Sequence, residues 1–189
     1  MIFFNPYNHF YMNKRTFHVP FLGIILFFFS LQISIVNGQW TWQNPSPTGN
    51  HFSSVYFTDN STGYAVGFGG TIAKTTDSGN NWTLQSSGVT QQLYSTYFTD
   101  ANTGYAVGGP GIILKTTNGG TNWIAQTCPS TQFLTCIYFL NPDTGFAIGT
   151  GGALLKTENG GTTWNLQTSG TTSFLYSIYF TDANTGYAV

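Results

Sequence analysis

Residues 62–82 read TGYAVGFGGTIAKTTDSGNNW, and the stretch returns as TGYAVGGPGIILKTTNGGTNW at 103–123 and TGFAIGTGGALLKTENGGTTW at 144–164. A fourth copy opens at 185–189 with TGYAV, so the step is 41 residues each time, without a gap. The chain is therefore an array of one unit. A residue recurring in every unit is most simply explained by the unit's own folding, so functional residues are sought among those that break the phase.

Working outward from 62–82, alternation and turn chemistry place four strands per unit. Ser53 to Thr58 forms the first, with Val55 and Phe57 on one face and Tyr56 on the other, so that both faces are buried. Asp59 to Gly63 turns the chain, with Gly63 expected at positive φ. Tyr64 to Gly67 forms the second strand, Gly69-Gly70 a turn, Thr71 to Thr76 the third strand, and Trp82 to Ser86 the fourth. Ala65, Ala106, Ala147 and Ala188 keep one position small, as needed where sheets approach closely. Four antiparallel strands in this period predict an all-β fold, a β-propeller of four-stranded blades. Blades are expected at about 52–87, 93–128 and 134–169, with a partial one at 175–189, about three and a half in all. Trp40-Thr41-Trp42-Gln43 copies the fourth strand, and in a propeller such a segment at 40–43 closes the ring by completing the last blade. The array is incomplete as it stands, which points to a parent with more blades.

Residues 1–38 are read separately. Lys14 and Arg15 precede an apolar stretch from Val19 to Val36, and Val36-Asn37-Gly38 offers a cleavage point, the pattern of a secretory signal peptide whose start could be Met12. An uncleaved anchor is the alternative, and would be the chain's one link to a membrane. Both put the repeats outside the cytoplasm: secreted, periplasmic or lumenal. Beyond residue 38 there are three Lys and no Arg against five Asp and one Glu, a net negative segment that does not attract nucleic acid.

The turn before each Trp follows T-x-[DN]-x-G-x-[NT]-W: Thr75, Asp77, Gly79, Trp82; then Thr116, Asn118, Gly120, Trp123; then Thr157, Asn159, Gly161, Trp164. Hydroxyl and Asx oxygens at this spacing accept backbone N–H groups across the turn, Gly takes positive φ, and the indole covers the hairpin. The motif resembles the Asp-box, or bacterial neuraminidase repeat, found between the third and fourth strands of propeller blades, where it is mainly structural. With the T-G-Y-A-V strand and the K-T-T-[DN]-x-G hairpin, residues 40–189 resemble the photosystem II stability and assembly factor family. That resemblance implies an extracytoplasmic, non-enzymatic protein-binding scaffold assisting assembly of a membrane complex in photosynthesis. The family's partner binding is associated with an arginine-rich patch, which this segment lacks.

No catalytic residues, metal ligands or cofactor site emerge. Sialidases share the Asp-box but need an Arg cluster, and glycoside hydrolases need two flanking carboxyl groups. Asp59, Asp100 and Asp182 share one phase, and Asp143 aligns with Ser61, Asn102 and Asn184. Glu158 alone brings a carboxylate without an Asx equivalent, and it is read as sitting on a solvated hairpin; His51 lacks partners at ligand spacing. The loop from Asp100 imitates half a calcium site but has Gly111 where a bidentate Glu belongs. Cys128 and Cys136 replace serines of other units, which suggests a disulfide, with two free thiols as the alternative. The 17% aromatic content leaves a carbohydrate-binding or glycoside-hydrolase-like Asp-box propeller as the second functional reading, although most of these rings recur in phase.

Overall fold

The computed structural model describes residues 47–189, within a compact unit spanning Thr41–Val189. The leader at 1–38 and the closing segment at 40–43 lie outside the described residues. Fourteen strands are present among the described residues: β1 (Phe52–Phe57), β2 (Gly63–Gly67), β3 (Ile72–Thr75), β4 (Thr83–Gln85), β5 (Leu93–Phe98), β6 (Gly104–Gly108), β7 (Ile112–Thr116), β8 (Ile124–Ala125), β9 (Leu134–Phe139), β10 (Gly145–Gly149), β11 (Leu154–Thr157), β12 (Asn165–Leu166), β13 (Ile178–Phe180) and β14 (Gly186–Ala188). They form three four-stranded antiparallel meanders, β1–β4, β5–β8 and β9–β12, followed by the pair β13–β14.

Registers repeat with the sequence. Ala65 pairs with Val55 and Ala73, Ala106 with Thr96 and Leu114, and Ala147 with Ile137 and Leu155. A bulge near the start of each first strand, between Phe52 and Ser54 and between Leu93 and Ser95, bends the chain there. First strands of consecutive blades lie side by side, so β1, β5 and β9 are inner strands and β4, β8 and β12 outer ones. The outer strands are short and carry exposed Leu84, Ile124 and Leu166.

Each blade has a forward face and a backward face. Tyr64, Val66 and Ile72 of blade 1 meet Leu93, Phe98, Ala106, Leu114 and Trp123 of blade 2 in one core. Tyr105, Val107 and Ile113 of blade 2 meet the matching residues of blade 3, including Leu134, Phe139, Leu155 and Trp164. Full burial of such side chains stabilises by about 1.5–3 kcal/mol each. Blade 1 has no blade packed before it among the described residues, and Phe57 is 43% exposed where Phe98 is 3% and Phe139 is 2%.

The glycine opening each second strand differs from its expected role. Gly63 is absent from the residues at positive φ; a Cβ on it would stand 2.7 Å from the Phe57 ring, and one on Gly104 would stand 2.3 Å from Phe98. It is required because the first-strand Phe lies flat over it. Gly69 and Gly70 do take positive φ, as the 2–3 turn demands.

Candidate functional site

The recurrent polar and aromatic residues are built into joints between blades. In the first turn of the kind T-x-[DN]-x-G, Thr75 Oγ1 accepts the Gly79 N–H at 2.9 Å and donates to Asp77 Oδ1 at 2.8 Å, while Asp77 Oδ1 accepts the Asn81 N–H at 2.8 Å. Thr116 with Asn118, and Thr157 with Asn159, make the same bonds to Gly120 and Asn122 and to Gly161 and Thr163. The last glycine of each turn has a positive φ, from 78° at Gly161 to 87° at Gly79.

This turn offers one backbone carbonyl backward. Tyr64 Oη and Lys74 Nζ of blade 1 both donate to Gly119 O, at 2.9 and 2.8 Å; Tyr105 Oη and Lys115 Nζ of blade 2 both donate to Gly160 O, at 2.7 and 2.6 Å. Burial, with the Asp100 and Asp143 carboxylates beyond it, pushes the Tyr105 hydroxyl up to about 12, so it remains a donor. The Tyr64 ring stacks on Phe98 at 4.0 Å, and Phe98 meets Trp123 edge to face at 6.0 Å; Tyr105, Phe139 and Trp164 repeat the arrangement. The indole N–H groups of Trp123 and Trp164 are buried without an acceptor.

The third unit departs from this design. Phe146 stands in the tyrosine's place, and Lys156 pairs with Glu158 of its own hairpin at 2.6 Å. Glu158 is thus an exposed partner of a lysine whose equivalents cross to the next blade.

Every side-chain carboxylate of the described residues sits at one end of the strands, in the 1–2 turns or the turn before each Trp. These turns touch: Ser61 O accepts the Ser78 N–H, Asn102 O the Gly119 N–H, and Asp143 O the Gly160 N–H. Asp59 accepts the N–H groups of Ser61 and Thr62, which hold its carboxyl well below the usual range. The half-calcium pattern is therefore an Asx turn.

The opposite end carries the 2–3 turns and the loops leading into each inner strand, joined by the N–H groups of Phe68, Gly109 and Thr150 bonded to His51 O, Gln92 O and Phe133 O. No Asp, Glu, Lys or Arg lies there among the described residues. Instead it carries aromatic rings that break the phase. Phe133 and Phe174 replace His51 and Gln92, while Tyr94 and Tyr176 replace Ser53 and Thr135. Tyr94 meets Phe133 edge-on at 6.4 Å, and Phe174 meets Tyr176 at 6.3 Å. The four rings line an open groove of about 550 Å³ together with Gln132, Thr135, Thr150 and Gly151. Phe133 is 43%, Phe174 56% and Tyr176 65% exposed. These are functional candidates that the assignment of aromatics to blade cores missed; aligning each ring with its counterparts in the other units identifies them. His51 lies at this same end, exposed, with its ring edge-on to Phe68.

The two cysteines are free, and they turn to opposite sides of blade 3. Cys128 packs against the core between blades 2 and 3, and Cys136 against Ile148, Leu175 and Ile178 on the forward side. Each replaces a serine with a different task. Ser87 and Ser169 brace the loop after the outer strand, whereas Ser54 and Ser95 accept inner-strand N–H groups from the next blade. The suggested bridge is not formed, since the two side chains pack into different cores.

Four-stranded meanders stacked through turns of the Asp-box kind define the class: these are the blades of an Asp-box β-propeller. The chain belongs to the photosynthesis system II assembly factor YCF48 family, whose sequence profile matches residues 34–130. A structure of YCF48 bound to a D1 peptide is similar, with a TM-score of 0.65 and 24% identity, covering 76% of this chain and 47% of that one. YCF48 from Cyanidioschyzon merolae gives 0.61 and 22%, covering 72% and 49%. The fold is shared with an ancestral GH74 enzyme, at a TM-score of 0.62 and 19% identity over 79% of this chain and 23% of that chain. The chain spans about half the length of the YCF48 structures. No curated protein matches it.

Proposed function

We propose that this protein is an exported, non-enzymatic propeller scaffold that binds a protein partner during assembly of a larger complex. The observation that carries the reading is the employment of its polar residues. Asp59, Asp77, Asp100 and Asp182 are each engaged in a turn, Glu158 is paired with Lys156, and Lys74 and Lys115 are spent on joints between blades. None of these converges on a reacting group, and the remaining carboxylate, Asp143, stands singly in its turn, whereas the uncharged end presents exposed rings. A YCF48 solved with a D1 peptide supports a polypeptide as the kind of partner. Without arginine beyond residue 38, recognition here rests on rings, amides and hydroxyls. Residues 1–38 would direct export, leaving a mature chain that begins near Gln39.

The test is cross-linking in the native host with the tagged full-length protein, followed by purification and mapping of cross-linked peptides. One defined protein partner, recovered from the extracytoplasmic fraction, is expected. Turnover of a polysaccharide or sialoside by the purified protein, or its retention in the cytoplasm, overturns the reading.

A further inference from the structure

The structure assigns a docking site to the uncharged end of the blade array: the groove between Tyr94, Phe133, Phe174 and Tyr176 takes an uncharged stretch of polypeptide through its apolar side chains. This rests on the scaffold reading and adds to it where the partner binds and what chemistry the partner offers.

Three observations choose the occupant. First, charge is segregated. All the side-chain carboxylates of the described residues, and the Nζ atoms of Lys74, Lys115 and Lys156, lie at the far end of the strands, so the groove offers a charged partner no charged side chain to pair with. A carboxylate brought against four rings would lose its water without compensation, and a cation would gain only the ring faces, with no carboxylate to complete its shell. Second, the polar atoms of the lining are mostly engaged. Thr150 Oγ1 donates to Gln132 Oε1 at 2.9 Å and accepts the Phe133 N–H at 3.1 Å, while Thr135 Oγ1 bonds Ile148 O at 3.2 Å and also Leu175 O. A saccharide, dense in hydroxyls, needs several directed partners. An apolar side chain needs only the rings, with the Gln132 amide nitrogen and the two tyrosine hydroxyls available to a passing backbone. Third, the rings break the repeat, so the blade cores do not explain them. Phe98 and Phe139, which do recur, are buried, whereas Phe133 and Phe174 stand exposed at a position that is His51 and Gln92 elsewhere.

The test uses the full-length chain and a displayed library of random twelve-residue peptides, with cello- and xylo-oligosaccharides as a parallel arm. Enrichment of uncharged peptides carrying Leu, Phe or Trp is expected. Phe133→Ser and Tyr176→Ser should each weaken a selected peptide at least tenfold, with the urea midpoint unchanged for Tyr176→Ser, whose side chain is 65% exposed. Introducing a charge, Phe174→Lys, should abolish binding. Selected peptides that bind equally to wild type and to both serine variants overturn the groove while leaving the scaffold reading standing. Selection of mainly acidic or basic peptides overturns the assigned chemistry. Saccharide binding at the groove with no peptide enriched overturns both readings, and the cross-linking experiment above reports separately on the scaffold reading.

Discussion

The carbonyl of Gly160 has two donors from the preceding blade, and a double-mutant cycle measures what they share. Tyr105 Oη reaches it at 2.7 Å and Lys115 Nζ at 2.6 Å, and the Tyr105 side chain is fully buried. Tyr105→Phe leaves the ring stack intact and the carbonyl still bonded to lysine, so the loss is one neutral hydrogen bond, about 1 kcal/mol. Lys115→Met removes a charge-assisted bond and a cation 5.6 Å from the Tyr105 ring centroid. Because the lysine is part-buried, about 2 kcal/mol is expected. Either single change leaves one donor; both together leave a buried acceptor with none, adding about 1–3 kcal/mol beyond the sum. With a urea dependence of about 2 kcal/mol/M, the midpoints fall by about 0.5 M, about 1 M and about 2 M or more. Tryptophan fluorescence and circular dichroism on the full-length protein follow the transition. Blade 3 supplies the control: Lys156→Met breaks a pair with Glu158 in its own hairpin and a cation–ring approach of 6.0 Å to Phe146 but no joint between blades, worth about 1 kcal/mol. Additivity of Tyr105→Phe and Lys115→Met within about 0.5 kcal/mol would refute the shared-acceptor argument.

Other outcomes follow from the same geometry. Gly161→Ala and Gly170→Ala impose similar backbone strain, at φ of 78° and 76°, but only the first drives a Cβ to 2.8 Å from Tyr105, so it should destabilise by at least about 1 kcal/mol more; equal costs would show that the joint yields freely. Thr116→Val strips the Gly120 N–H of its acceptor inside a buried turn and should cost about 2 kcal/mol in the same urea assay; an unchanged midpoint would contradict it. The side-chain amide and then the backbone N–H of Asn81 hold the Asp77 carboxyl below its ordinary 3.8, turn N–H groups do the same for Asp59 and Asp182, and at Asp100 the N–H groups of Asn102 and Thr103 outweigh the upward push of burial. The folded state thus prefers the carboxylates. Their stabilisation is complete above the unfolded value and is lost as pH falls through the lowered folded values. The urea midpoint should therefore drop below about pH 4, with less dependence after Asp59→Asn, which keeps the acceptor as Asn141 does; a flat acid limb would contradict it. Denaturant should reveal two thiols to a colorimetric reagent without reductant, Cys128 reacting slowly in the folded state because burial pushes its thiol up; an intact mass two hydrogens short would refute free cysteines.

The strand plan was legible because each unit repeats its own turns, and a period shared by turn residues and apolar positions leaves little freedom in register. Burial was less legible. Val55 and Phe57 have the pattern of residues covered on both faces, yet cover comes from a neighbouring blade, which the described residues do not supply before blade 1. Gly63 misled because glycine before a strand suggests a turn conformation, whereas the ring of Phe57 above it is visible only in three dimensions. The cysteines misled through proximity in sequence: Cys128 and Cys136 are close along the chain and turned apart across a blade. Filtering by phase located Glu158 and His51 but passed over Tyr94, Phe133, Phe174 and Tyr176, since rings abundant elsewhere in phase concealed those that were not.

The joint made by tyrosine, lysine and a glycine carbonyl runs in one direction, from blade 1 to blade 2 and from blade 2 to blade 3. Without the next hairpin in place, the tyrosine and lysine of blade 1 or blade 2 are two donors that lack their shared acceptor. Because the same three groups serve at successive joints, a unit can be duplicated or lost between two joints without redesigning either neighbour, which leaves blade number open to change by recombination of the gene.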